Sequence, residues 1–113
     1  MSKEFEKNLS GNGKRIAIVV AEFNEIVTDA LLRGAVDRLE ALGVSSENIF
    51  VAKVPGAFEI PGVCRRLADT GSYDAIIALG AVIRGETSHY DAVVNGVTSG
   101  IASLASEGKI PVL

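Results

Sequence analysis

Apolar residues in this chain follow two rhythms, continuous runs and spaced repeats, and the two alternate from residue 15 onward. Arg15–Phe23, "RIAIVVAEF", is a nearly unbroken β-branched run. A strand covered on both faces has that composition. Val27, Leu31, Ala35, Leu39 and Leu42 then recur every three or four positions, as on one face of a helix. Asn24 or Thr28 is placed to cap its start, and Gly43 to stop it. A second apolar run covers Asn48–Val54, "NIFVAKV". Pro55–Gly62, "PGAFEIPG", reads as a rigid connector. A short helix through Val63, Cys64 and Leu67 should end near Gly71. Asp74–Ile83, "DAIIALGAVI", is a third buried strand. Tyr90, Val93, Val94, Val97, Ile101 and Leu104 mark a third helix that Gly108 ends, and "KIPVL" opens a fourth strand at Lys109–Leu113.

Strands alternating with helices imply a parallel sheet with helices on its faces, joined by right-handed crossovers. No linker or internal repeat interrupts the order, so residues 1–113 read as one domain. Residues 1–14 are polar and form an N-terminal arm, with a short strand expected around Phe5. "GNGK" at 11–14 resembles a nucleotide loop but precedes a strand instead of following one, so a turn is the better reading. A strand that begins at the last residues has no helix after it to cover its face. The expectation is therefore a fragment, or a chain that another chain completes.

Composition narrows the function classes. With 48% hydrophobic and 22% charged residues, the chain is globular and not disordered. A net charge of −3 argues against a nucleic-acid partner held by bulk electrostatics, though not against a small anion at one site. The one cysteine, Cys64, has no disulfide partner and reads as a small buried side chain; no Cys/His cluster suggests a metal. The N-terminus lacks the apolar core of a signal peptide, and no run approaches the ~18 apolar residues of a membrane span. These features fit a cytoplasmic protein with no membrane role.

Ligands of open parallel α/β sheets bind beyond the carboxyl ends of the strands. Three such ends should share one edge here. Phe23 closes the first strand and offers a face for a planar ring, unless it is a core residue. In the second loop, two prolines stiffen the backbone, and Glu59 lies between them among apolar neighbours. It could accept hydrogen bonds from a polyol or amine, or simply sit at a helix start where the dipole favours it. The third loop follows Gly80, and "GAVIRGET" nearly matches the phosphate loop G-x-x-x-x-G-K-[S/T], with Glu86 where the lysine belongs. Ser88 and Asp91 fit an S-x-x-D cap, so a helix should begin near Ser88 or His89. Free backbone amides at such a start bind anions without a lysine. Glu86 would repel a closely held triphosphate but is compatible with a phosphate monoester. His89, the only histidine, is placed to move protons beside a bound substrate, or to be a capping or surface residue.

"FN" after the first strand, "VPGAFEIP" after the second and "GAVIRGETSHYDAV" across the third occur in order. Together they closely resemble the 6,7-dimethyl-8-ribityllumazine synthases of riboflavin biosynthesis, over about residues 14–113. The resemblance implies an α/β fold of flavodoxin-like type: a three-layer αβα sandwich on a four-stranded parallel sheet, its last strand incomplete and its final helices missing. It implies a transferase that joins 5-amino-6-(D-ribitylamino)uracil to 3,4-dihydroxy-2-butanone 4-phosphate, releasing phosphate and water with neither metal nor organic cofactor. By the same resemblance Phe23 stacks on the pyrimidine, and Ala57, Phe58 and Glu59 contact the ribityl-bearing substrate. Ala81, Val82 and Ile83 meet the pyrimidine edge, Glu86 and Thr87 hold the phosphate, and His89 shuttles protons. Family members form pentamers or icosahedral shells of sixty subunits, and the arm around Phe5 would add a strand to a neighbour. The family's C-terminal region carries an aromatic residue, an arginine and a lysine that complete a neighbouring site. The isolated 113-residue chain is therefore expected to lack useful activity unless a complementary C-terminal fragment joins it. An archaeal-type riboflavin synthase and an inactive shell component are the alternative readings.

Overall fold

The computed structural model describes residue 4 and residues 6–85 and 88–113. The expected strand around Phe5, and the phosphate-binding assignments to Glu86 and Thr87, lie outside the described residues. The order is β1 (Ile16–Ala21), α1 (Glu25–Ala41), β2 (Ile49–Val54), α2 (Ile60–Asp69), β3 (Ala75–Leu79) and α3 (His89–Glu107). Single 3₁₀ turns at Ser46–Asn48 and Ala57–Glu59 lead into β2 and α2.

The three strands are parallel in the order β2-β1-β3, with Ile16 beside both Ile49 and Ala75. All six residues of β1 are buried, which is why that segment reads as an unbroken apolar run. Side chains alternate across a strand. Ala17, Val19 and Ala21 therefore join Ile60 and Cys64 of α2 and Leu104 of α3 on one face. Ile16 and Ile18 meet Leu32, Ala35, Val36 and Leu39 of α1 on the other. Each fully buried Ile or Val is worth roughly 1.5–3 kcal/mol relative to exposure, so the central strand dominates the core.

Four expectations are corrected. First, the sheet has three strands, not four. Residues 111–113 run parallel beside β3 with Ile76 paired to Val112, but this is one isolated bridge. The Ile76 and Ala78 amides donate to the carbonyls of Pro111 and Leu113 at 2.9 and 2.7 Å, while Pro111 has no N–H to extend the ladder. Second, β3 stops at Leu79 instead of Ile83. Beyond Ala21 the Glu22 and Phe23 amides donate to the Val54 and Pro55 carbonyls, so β1 leans toward β2 and leaves β3 without a rung.

Third, the docked face of α1 matches the expected one in Ala35 and Leu39 but not in its first turns. Thr28, Leu32, Val36 and Leu39 face inward, while Val27 and Leu31 stay 44% and 41% exposed. The inward face is shifted by one residue over the first two turns only, and beyond them it holds Ala35, Val36 and Leu39 together. Thr28 is thus a buried first-turn residue, its hydroxyl donating to the Asn24 carbonyl at 3.4 Å. Fourth, neither Asn24 nor Ser88 caps its helix through a side-chain hydrogen bond, although both stand at the expected N-terminus. Ser88 has helical backbone angles, which turn its side chain away from the capping position. Gly43 and Gly108 end α1 and α3 with φ of 99° and 74°, where a side chain would be strained.

Candidate functional site at the carboxyl edge of the sheet

The three loops meet beyond the strand ends. Glu22 and Phe23 are held to the second loop by backbone bonds of 2.7 and 3.0 Å to Val54 and Pro55. The second loop is in turn held against α3. A methyl group at Gly96 would lie 2.5 Å from the Phe58 ring, and one at Gly100 would lie 2.5 Å from Pro61. These two glycines make the groove into which the connector sinks. They are legible in the sequence as a G-x-x-x-G spacing, "GVTSG", but helical periodicity presents α3 only as an apolar face.

A cavity of about 490 Å³ opens over this junction, lined by Phe23, Pro55, Phe58, Glu59, His89 and Val93 among others. A smaller cleft of about 70 Å³ adjoins it and is bounded by Phe23, Ala57, Ala81, Val82, Ile83 and His89. Every described residue with an expected role in the site therefore lines one of two cavities that share Phe23, His89 and Val93. Phe23 is 69% exposed, which rules out a core phenylalanine, and Phe58, which lines the same cavity, is 59% exposed. Glu59 is exposed, stands immediately before α2, and forms no side-chain cap bond there. Its carboxylate folds back over Gly56, 3.3 Å from where a side chain would begin. Ala57 is buried and serves the wall of the cavity and the core alike.

Residues to which the sequence alone gives no role also border the site. The Asn24 side-chain amide donates to the Ala81 carbonyl at 3.2 Å, joining the first loop to the third. The Arg84 guanidinium lies over the Tyr90 ring at 5.7 Å, a cation–π contact across the start of α3. No metal-ligating group of three His, Cys, Asp or Glu occurs among the described residues. Cys64 is fully buried, and desolvation pushes its thiol from an ordinary 9.0 up to about 11, so it offers no nucleophile at neutral pH. No helix among the described residues is long and apolar enough to cross a membrane.

A cavity over the carboxyl ends of a parallel sheet, walled by two aromatic rings and reached by one carboxylate and one imidazole, defines a small-molecule site in an open α/β protein. Comparison with known proteins makes this specific. Residues 13–113 match the 6,7-dimethyl-8-ribityllumazine synthase family, and the chain belongs to it. The 6,7-dimethyl-8-ribityllumazine synthase of Pediococcus pentosaceus is 54% identical over 110 residues, covering 97% of this chain and 70% of the relative. Both comparisons weigh against the archaeal-type riboflavin synthase reading.

Proposed function

We infer that this chain condenses 5-amino-6-(D-ribitylamino)uracil with 3,4-dihydroxy-2-butanone 4-phosphate to 6,7-dimethyl-8-ribityllumazine, phosphate and water. As a member of its family it is a transferase of riboflavin biosynthesis. The observation that carries the assignment of roles is the convergence of Phe23, Phe58, Glu59 and His89 on one cavity. Phe23 stacks on the pyrimidine, and Ala57, Phe58 and Glu59 receive the ribityl-bearing substrate, with Glu59 accepting from its hydroxyls. Ala81, Val82 and Ile83 meet the pyrimidine edge. Glu86 and Thr87 are proposed for the phosphate, through backbone amides and the threonine hydroxyl.

The chemistry asks for positioning and proton transfer. The uracil's amine attacks the ketone and loses water to give an imine. A proton leaves carbon as phosphate departs, and the ribityl-bearing nitrogen closes the ring with loss of water. Holding two reactants at near-attack distance supplies much of such a barrier, and one acid/base group supplies more. His89 is that group in this reading.

Exposed apolar residues beside the site support a homo-oligomer. Ile26, Val27 and Ile83 border an open depression of about 350 Å³ next to Asn24. Apolar surface of this kind is characteristic of an interface between subunits, as in the pentamer or sixty-subunit shell that the resemblance implies. One cysteine, buried, fits a cytoplasmic setting. The test supplies both substrates to the chain together with a complementary C-terminal fragment and follows lumazine absorbance and phosphate release together. Appearance of neither in the completed protein would reject the assignment, and dismutation of added lumazine without phosphate release would point to a riboflavin synthase.

A further inference from the structure

Asn24 is the one described residue other than glycine with positive φ, at φ 66° and ψ 50°. Left-handed backbone is costly for L-residues, and asparagine is among those that tolerate it best. An N-cap asparagine ordinarily turns its side chain to the first amides of its own helix. This one does not; it reaches a residue 57 positions along the chain, donating to the Ala81 carbonyl at 3.2 Å. Its backbone carbonyl meanwhile accepts from the Val27 and Thr28 amides, both at 3.0 Å, which anchors the residue to α1.

The recipient is significant. Ladder pairing between β1 and β3 ends at Val20 and Leu79. Past that point the Glu22 and Phe23 amides serve the β2 side. The Asn24 side chain therefore supplies the missing rung between the first and third loops. Phe23 precedes Asn24, and Ala81, Val82 and Ile83 begin at its acceptor. All four line the same small cleft.

We propose that Asn24 is a positioning residue for the condensation: its left-handed backbone and its bond to Ala81 set the gap between the Phe23 ring and the Ala81–Ile83 backbone, and so the slot that accepts the planar ring of the uracil substrate. This rests on the function proposed above and deepens it. Asn24 need not touch the substrate; it acts through its two neighbours in the cleft. The butanone phosphate does not use this slot, so the effect falls on one substrate and not on both.

Two variants separate the side-chain bond from the backbone. Asn24→Asp keeps the shape and the tolerance of left-handed backbone but cannot donate from an ionised carboxylate. Asn24→Gly keeps the backbone freedom and removes the side chain. In steady-state assays of the chain completed by a C-terminal fragment, both should raise KM for the ribitylaminouracil about tenfold, with kcat and the KM for butanone phosphate within about threefold. A second readout needs no substrate. The Val82 backbone amide shares its peptide group with the Ala81 carbonyl, so its NMR shift should move and its hydrogen exchange quicken in Asn24→Asp. Unchanged KM for the uracil in both variants overturns the proposal, including the case in which only the melting temperature falls. An unmoved Val82 amide overturns it as well. If the unmodified chain forms no lumazine even with the C-terminal fragment present, the proposed function is what fails, and the Val82 amide alone then decides whether Asn24 links the two loops.

Discussion

Phe23 and His89 show how single residues acquire a role by placement. A phenylalanine at the end of an apolar strand would ordinarily bury its ring, a gain of about 25 cal/mol for each Å² removed from water. Here the ring stays 69% exposed at the mouth of a cavity, so that gain remains available to a planar ligand. His89 begins α3 and borders both cavities, which puts an imidazole within reach of whatever Phe23 stacks upon. Replacing His89 by alanine should lower kcat by about 10²–10⁴-fold, the usual worth of a general acid/base. A rate within about twofold of the unmodified protein would remove His89 from proton transfer. The chemical type of these residues was legible in the sequence, because a lone histidine and a strand-end aromatic stand out. The exposure of Phe23 was not, since it depends on where the second loop leaves room.

At the scale of elements, α3 supplies both a catalytic candidate and the surface that seats the connector. Gly96 and Gly100 lie one turn apart on it, against Phe58 and Pro61. Alanine at either site gains about 1 kcal/mol of helix propensity. Whether that gain survives depends on the neighbour each new methyl meets. Phe58 is the far end of an exposed side chain and can swing away. Gly96→Ala should therefore leave the melting temperature unchanged or raised while KM for the uracil substrate increases several-fold. Pro61 is a stiff ring in the first turn of α2 and cannot yield without moving the backbone. Gly100→Ala should cost about 1–3 kcal/mol of overpacking against that gain, a net loss seen in denaturant melts. Equal melting behaviour of the two variants would show that the connector does not depend on this groove. The G-x-x-x-G spacing was visible in the sequence. The partner that it admits is remote along the chain, in a loop that helical periodicity does not register.

For the molecule as a whole, one ion pair ties the later helices together. Arg65 of α2 makes a two-pronged contact of 2.7 and 2.8 Å with Glu107 at the end of α3. The hydrogen bond from Arg65 holds the Glu107 carboxyl below its ordinary range. The unfolded chain therefore binds this proton at a higher pH than the folded chain. The stabilisation is complete above the ordinary carboxylate range and is lost as pH falls through the folded value. Melting temperatures of the unmodified protein and Glu107→Gln should differ at pH 7 and converge in acid; a constant difference would refute the coupling. On the alkaline side, the Cys64 thiol is raised by burial from 9.0 to about 11, so its share is complete below the lower value and is lost as pH climbs through the upper one. Cys64→Ala should flatten that limb and leave the acid one as it is. The sequence by itself determined the alternation of strand and helix, the parallel sheet, the three loops at one edge and the family. Those follow from local rhythm and from motifs whose residues are contiguous. Tertiary structure alone decided which residues of the first two turns of α1 dock, because Val27 and Leu31 are at least as apolar as the inward Thr28 and Leu32 and the left-handed turn at Asn24 sets the angle of entry. It alone decided where β3 stops, because a strand lasts only as long as its neighbour offers rungs. It also chose the partner of the Asn24 amide, because a hydrogen bond across 57 residues leaves no local trace in the sequence.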